Sequence, residues 1–261
     1  MTGKLYLVPT PLDFGCTDEH PPAPVSAWLP ANTLAVAAGL QHWIAENAKS
    51  TRAFLKRVGA EAPLAAPLQT LQITELPRAA HKKGDHLPTT ASDAQARSLL
   101  QAALEGHDMG LVSEAGMPAI ADPGSAIVRA AHALGIPVVP LTGPISLMLA
   151  LAGSGLNGQH FAFVGYVPQE PAERARRLRE LETQALKSGQ TQILIETPYR
   201  NAALLQALLQ NLQANTRLAV ACGLTLPNQT IRSALVSEWR KTASPHDNPT
   251  LKAPAIFMLG R

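Results

Sequence analysis

Four short stretches of this chain combine glycine, proline and small polar residues in a pattern suited to holding a ligand through the backbone. They are "PTPLDFG" (9–15), "SEAGMPAIADPG" (113–124), "LTGPIS" (141–146) and "ETPYR" (196–200). Each follows a short apolar run: "LYLV", "MGLV", "PVVP" and "QILI". Glycine lets a backbone approach a ligand closely, and proline fixes the turn. Loops beyond the carboxyl ends of parallel strands are also where open α/β sheets bind ligands.

Other chemistries lack their signatures. The eight histidines form no HxH, HExxH or Cys/His spacing, so no metal site is expected. There is no G-x-S-x-G elbow and no Walker A sequence. "GSGLNG" (153–158) matches a dinucleotide fingerprint, but it follows a helical pattern and precedes a strand. The fingerprint works in the opposite context, so this segment reads as a helix stop and link. Cys16 and Cys222 are the only cysteines and are expected to be plain thiols.

The elements that position the four loops alternate between strand and helix. Lys4–Val8 reads as a strand, then a proline-rich loop runs to Pro30. "NTLAVAAGLQ" reads as a helix, "HWIAEN" as a strand and "AKSTRAFLKRV" as a basic helix. "LQTLQITEL" is the one strand expected between Gly59 and Pro88. Ser92 and Gln95 suggest a capping box at the head of a helix that Gly106 ends. Asp122 and Pro123 are expected to cap and start the next helix, and Pro144 the small-residue helix "ISLMLALAGSG". Such alternation implies a mostly parallel sheet covered on both faces. A polar link then leads to strands "FAFVGYV", "TQILIE", "RLAVACGL", "QTIRSALV" and "AIFMLG", with two helices among them. The expected fold class is α/β, as two α/β domains over 1–157 and 158–261 with a ligand cleft between them.

With 46% hydrophobic and 16% charged residues, the chain can bury a core. No apolar run approaches the roughly 18 residues of a membrane span, and the first residues lack a signal-peptide layout. A cytoplasmic protein is expected. The net charge of +3 suits a polyanionic partner without demanding one. The concentrated basic segment, "AERARRLRELE" (172–182), interleaves four arginines with three glutamates. It reads either as a solvated helix face with local ion pairs or as an RNA-facing strip.

In order and spacing, "LVPTPL", "SEAGMPAIADPG", "TGPIS" and "ETPYR" resemble the tetrapyrrole methylase superfamily, and within it the ribosomal RNA small subunit methyltransferase I branch. Glu114 stands where that branch usually has Asp, Met117 where it has Thr, and Thr142 where it has Pro. The resemblance implies S-adenosylmethionine as cofactor, with backbone groups meeting its polar atoms and Glu114 facing its cationic portion. Cofactor contacts implied by motif are Pro9, Leu12, Ser113, Glu114, Ala115, Gly116, Met117, Ile120, Thr142, Gly143, Pro144 and Ile145. Glu196 and the backbone of Ala221, Cys222 and Gly223 are implied to close the second-domain side. Gly143 is expected to leave room for the cofactor and to suit a positive φ. Tyr199 and Arg200 meet the acceptor on one reading and are a helix-entry Tyr and a surface Arg on the other.

The activity so implied is methyl transfer to the 2′-hydroxyl of a ribosomal RNA cytidine, in a homodimer that needs no metal and acts on ribosomal RNA or the small ribosomal subunit. Two alternatives stay open: a precorrin-type or other small-molecule methylase, and a cofactor-binding protein without catalysis. No general base is identified.

Overall fold

The computed structural model describes residues 2–13, 23–77, 90–242 and 249–261. Cys16, most of the proline-rich loop, His81 and the side chain of Ser92 lie outside the described residues. The chain divides into two compact units, Met1–Ile145 and Ser146–Arg261.

The first unit runs β1 (Leu5–Val8), α1 (Ala31–Gly39), β2 (His42–Ala45), α2 (Ala48–Gly59), β3 (Gln72–Glu75), α3 (Thr90–Leu99), α4 (Gln101–Leu104), β4 (Met109–Val112), α5 (Ser125–Ala133) and β5 (Val138–Pro140). Its strands form one parallel sheet in the order β3-β2-β4-β1-β5. Helices cover both faces, so β4 is buried at every residue and reads as an unbroken apolar run. Val8, Trp43 and Val112 pack with Leu34, Phe54 and Leu55 of α1 and α2 on one face. Leu5, Ile44 and Leu111 pack with Leu100 and Ile127 on the other. Asn47 starts α2 by accepting the Lys49 and Ser50 amides at 2.9 and 3.3 Å.

The second unit runs α6 (Ser146–Ser154), β6 (Phe161–Gly165), α7 (Pro171–Ser188), β7 (Thr191–Glu196), α8 (Asn201–Asn211), β8 (Arg217–Cys222), β9 (Thr230–Leu235), α9 (Val236–Thr242) and β10 (Ala255–Gly260). Its sheet order is β6-β7-β10-β8-β9; only β6 and β7 are parallel. The division at Ile145 differs from the link expected near Gly158, because α6 packs on β8, β9 and β10 and so joins the second core. Residues 153–158 do run from a helix end into a strand.

Glu170 caps α7 by accepting the Ala172 and Glu173 amides at 3.0 and 2.7 Å, and Gly189 ends it at φ 71°. Along α7, Arg176 and Arg177 pair with Glu180 and Arg179 reaches Asn211, the local pairing expected of a solvated face. On its inner side Glu182 is buried and accepts the Gln213 amide at 2.7 Å and the Thr216 hydroxyl. Removing that carboxylate strands a buried amide and hydroxyl. Glu182→Ala is therefore expected to cost about 2 kcal/mol in urea unfolding; an unchanged midpoint would mean water replaces it.

Candidate functional site

Because β1, β2, β4 and β5 are parallel, the loops that leave them share the carboxyl edge of the first sheet. Backbone contacts knit three of these loops together. Thr10 and Gly116 exchange amide–carbonyl hydrogen bonds at 2.9 and 3.1 Å, and the Thr10 hydroxyl donates to the Ser113 carbonyl at 3.4 Å. Gly116 holds φ at +79°, and a Cβ there would lie 3.2 Å from Leu12 and 3.6 Å from the Pro144 carbonyl oxygen. Thr33 of α1 donates to the Thr142 carbonyl at 2.8 Å. Pro9, Leu12, Gly116, Gly143 and Pro144 are thus neighbours, although the first and last stand 135 positions apart in sequence.

Gly143 is bare for a reason other than the one expected. Its φ is not positive. A Cβ there would meet Pro9 Cβ at 2.5 Å and Pro9 Cγ closer still, with Leu29 at 3.1 Å. The proline of the first loop packs on the naked α-carbon of the third.

The long central loop carries backbone strain. Ala119 and Ala121 both sit at φ 65°, a region that residues with a Cβ rarely adopt, and they flank Ile120, which is 41% exposed. The Pro123 carbonyl accepts the Ala119 amide at 3.3 Å, so Asp122 and Pro123 belong to this turn. The following helix begins only at Ser125, with Gly124 at its cap, which corrects the expected Asp122–Pro123 start. Likewise α6 begins at Ser146, past Pro144.

Freed from capping, Asp122 joins Glu46 and Glu114. Its carboxyl is pushed up to about 7, first by burial and then by the charges of Glu46 and Glu114, while the Ser113 hydroxyl works in the opposite direction. Ser113 Oγ is buried near this carboxyl, without a partner in good hydrogen-bond geometry. Glu46 also accepts the Glu114 amide at 3.1 Å, tying the loop after β2 to the loop after β4. Acidic side chains gathered at a strand edge in this way favour a cationic ligand. Among the described residues, no group of three His, Cys, Asp or Glu side chains could hold a metal ion.

The second unit has its own edge, where β6 and β7 end and β10 begins. Here Glu196 Oε1 accepts the Thr197 amide at 2.8 Å and Arg200 Nε and Nη2 at 3.0 and 2.7 Å. Tyr199 is 81% exposed, with the Arg200 guanidinium 5.4 Å from its ring centre. Ala221 and Cys222 are buried; the Cys222 side chain lies in the second core, where burial pushes its thiol up to about 11. The Gly223 amide donates to the Pro254 carbonyl at 3.0 Å. Glu196, Tyr199, Arg200 and Ala221–Gly223 therefore share one edge through the register of β7, β10 and β8.

Sequence reading missed Thr10, Leu29, Glu46 and the acidic role of Asp122. Thr10 and Asp122 lie inside the quoted loops, but their partners are set by sheet order. Glu46 follows a strand directly, which is a usable signal once β2 is known to neighbour β4.

Comparison with known proteins agrees with this architecture. The profile of the tetrapyrrole (corrin/porphyrin) methylases matches residues 44–239. Ribosomal RNA small subunit methyltransferase I of Escherichia coli O157:H7 is 30% identical over 90% of this chain and 70% of its own length. The protein of the same name from Xylella fastidiosa is 36% identical over 52% of this chain and 43% of its own length. The chain spans about half the length of the first curated relatives it matches. Among solved structures, the methyltransferase CobJ superposes with a TM-score of 0.54 at 18% identity, covering 100% of this chain and 95% of that one. That likeness concerns the fold. With three knitted loops at the carboxyl edge of a parallel sheet and a profile match over most of its length, the chain belongs to the tetrapyrrole (corrin/porphyrin) methylases, as a relative of the ribosomal RNA small subunit methyltransferase I proteins.

Proposed function

We propose that this protein methylates RNA with S-adenosylmethionine, at the 2′-hydroxyl of a ribosomal RNA cytidine. The observation that carries the reading is the convergence of Pro9–Leu12, Ser113–Met117 and Thr142–Ile145 beside the acidic trio Glu46, Glu114 and Asp122. The residues fit the cofactor. Tight turns offer it amides and carbonyls, the trio suits its positive charge, and the lone Ser113 hydroxyl is a spare polar contact. When bound, S-adenosylmethionine supplies an electrophilic methyl group whose carbon–sulfur bond breaks as the acceptor oxygen bonds to carbon.

The chain's own part is positioning. The loops hold their shape through Thr10, Gly116 and Pro9, so the cofactor is met by backbone groups already fixed in place. The acceptor hydroxyl loses its proton to solvent or to a neighbouring base as the new bond forms. Glu196 and Ala221–Gly223 belong to the same reading as second-unit cofactor contacts, with Tyr199 and Arg200 toward the acceptor. So do a homodimer and a cytoplasmic setting among ribosomes. Among the described residues, no helix is long and apolar enough to cross a membrane.

Calorimetry is expected to give one S-adenosylmethionine or S-adenosylhomocysteine site per chain, unchanged by chelator. No heat with either compound would refute the cofactor assignment. Mass spectrometry of nucleosides from cells with and without the gene should then show one 2′-O-methylcytidine lost from ribosomal RNA. Labelled methyl found only in a small molecule would move the acceptor to the precorrin-type class.

A further inference from the structure

The exposed ring of Tyr199 is not explained by the second unit's packing. Large aromatic side chains normally bury most of their area, yet this one leaves 81% in solvent. Its neighbour Arg200 has only 27% of its side chain exposed and is committed to a buried carboxylate. That guanidinium is held by Glu196 through Nε and Nη2 and lies 5.4 Å from the tyrosine ring centre. A planar cation so fixed braces one face of the ring and leaves the other open.

The strand register supplies a second shelf. Because β6 and β7 are parallel neighbours, with Gly165 opposite Leu194, Tyr166 and Tyr199 leave the sheet at the same edge. Tyr166 is 58% exposed. The first turns of α7 start from this edge as well, carrying Arg176 with 71% of its side chain exposed, and Arg177. An open tyrosine face at Tyr199, a second tyrosine with more than half its area in solvent and a cationic helix match what holds unpaired nucleic acid: aromatic surface for bases and positive charge for the backbone.

We infer that Tyr199, braced by Arg200 and Glu196, forms with Tyr166 a stacking platform for unpaired bases of the RNA acceptor, while α7 supplies the phosphate contacts. The inference rests on the RNA reading above and assigns different work to the two groups. Stacking is insensitive to salt, whereas phosphate neutralisation sets the salt slope.

The test uses the full chain, a fluorescein-labelled single-stranded RNA dodecamer of mixed sequence, and the same sequence as a duplex. Tyr199→Ala should weaken single-strand binding about tenfold at every salt concentration, and Tyr199→Trp should restore it. Tyr166→Ala should act in the same direction. Duplex binding and S-adenosylhomocysteine affinity should stay as in the wild type, the latter also reporting an intact fold. Reversing Arg176 and Arg177 to Glu should instead flatten the salt slope. Tyrosine variants that bind the single strand like wild type overturn the platform. A change of mass in light scattering on Tyr199→Ala overturns it too, by making the ring a subunit contact. A wild-type chain that binds S-adenosylhomocysteine but neither RNA probe overturns the RNA reading itself.

Discussion

Gly143→Val is expected to loosen the fold and empty the cofactor site together. The first atom of any side chain at this position falls within 2.5 Å of Pro9 Cβ and 3.1 Å of Leu29 Cδ2. Neither neighbour is the tip of a flexible chain that can swing clear, since Pro9 is a buried ring in a turn and Leu29 is 1% exposed. Overpacking of this kind costs about 3 kcal/mol. Relief must come from backbone movement of the first or third loop, which separates Pro9 from Gly143. S-adenosylmethionine affinity should fall more than about tenfold, or 1.4 kcal/mol. Urea unfolding measures the first effect and calorimetry the second. Even Gly143→Ala should show both in weaker form. A folded valine variant that binds like wild type would mean these loops do not hold the cofactor.

Asp122→Asn is expected to make the ligand-free protein more stable above neutral pH and to flatten its pH profile. In the unfolded chain this carboxyl ionises near its ordinary value of 3.8, whereas in the fold it keeps its proton up to about 7. Between those values the native state binds more protons than the unfolded state. Stability is therefore full below about 4 and falls as pH rises toward 7. The ceiling is about 4 kcal/mol, and partial solvent access brings the expected loss to about 2 kcal/mol. An amide removes the charge, so the loss across that window should shrink by this amount. Unfolding midpoints at pH 5 and pH 8 for both proteins decide it. Parallel profiles would show that neither burial nor the charges of Glu46 and Glu114 raise the proton affinity of Asp122. Ligand binding offers a cross-check, because a cation seated among the three should draw Asp122 back toward ionisation and release protons.

The strands were legible in the sequence because a parallel sheet covered on both faces makes apolar runs such as "MGLV", and turn-forming residues bracket them. The basic helix was legible for a related reason. Glu170, Pro171 and Gly189 punctuate it, and its local ion pairs follow from spacing alone. What sequence could not supply is lateral order. That Glu46 meets Glu114 depends on β2 lying beside β4, and that Pro9 meets Gly143 depends on β1 lying beside β5. The Asp122–Pro123 helix start was misjudged because the signal is local. Two left-handed alanines delay the helix, and nothing in an alanine's identity announces a positive φ. Ile145 as the division escaped notice because α6 is apolar all round, so its pattern does not say which core it joins.

The placement of β10 sets when the sheet of the second unit can close during synthesis. It is the last strand of the second unit along the chain, yet it lies at the centre of that sheet, paired with β7 on one side and β8 on the other. Every one of its residues is buried. Until Ala255–Gly260 leaves the ribosome, β6–β7 and β8–β9 are two ribbons with open inner edges and exposed apolar faces. The first unit has all its strands in hand long before. A nascent chain would therefore carry a finished first unit ahead of an unclosed second one, and the second unit's hazard of mispairing is concentrated in the interval before β10 arrives.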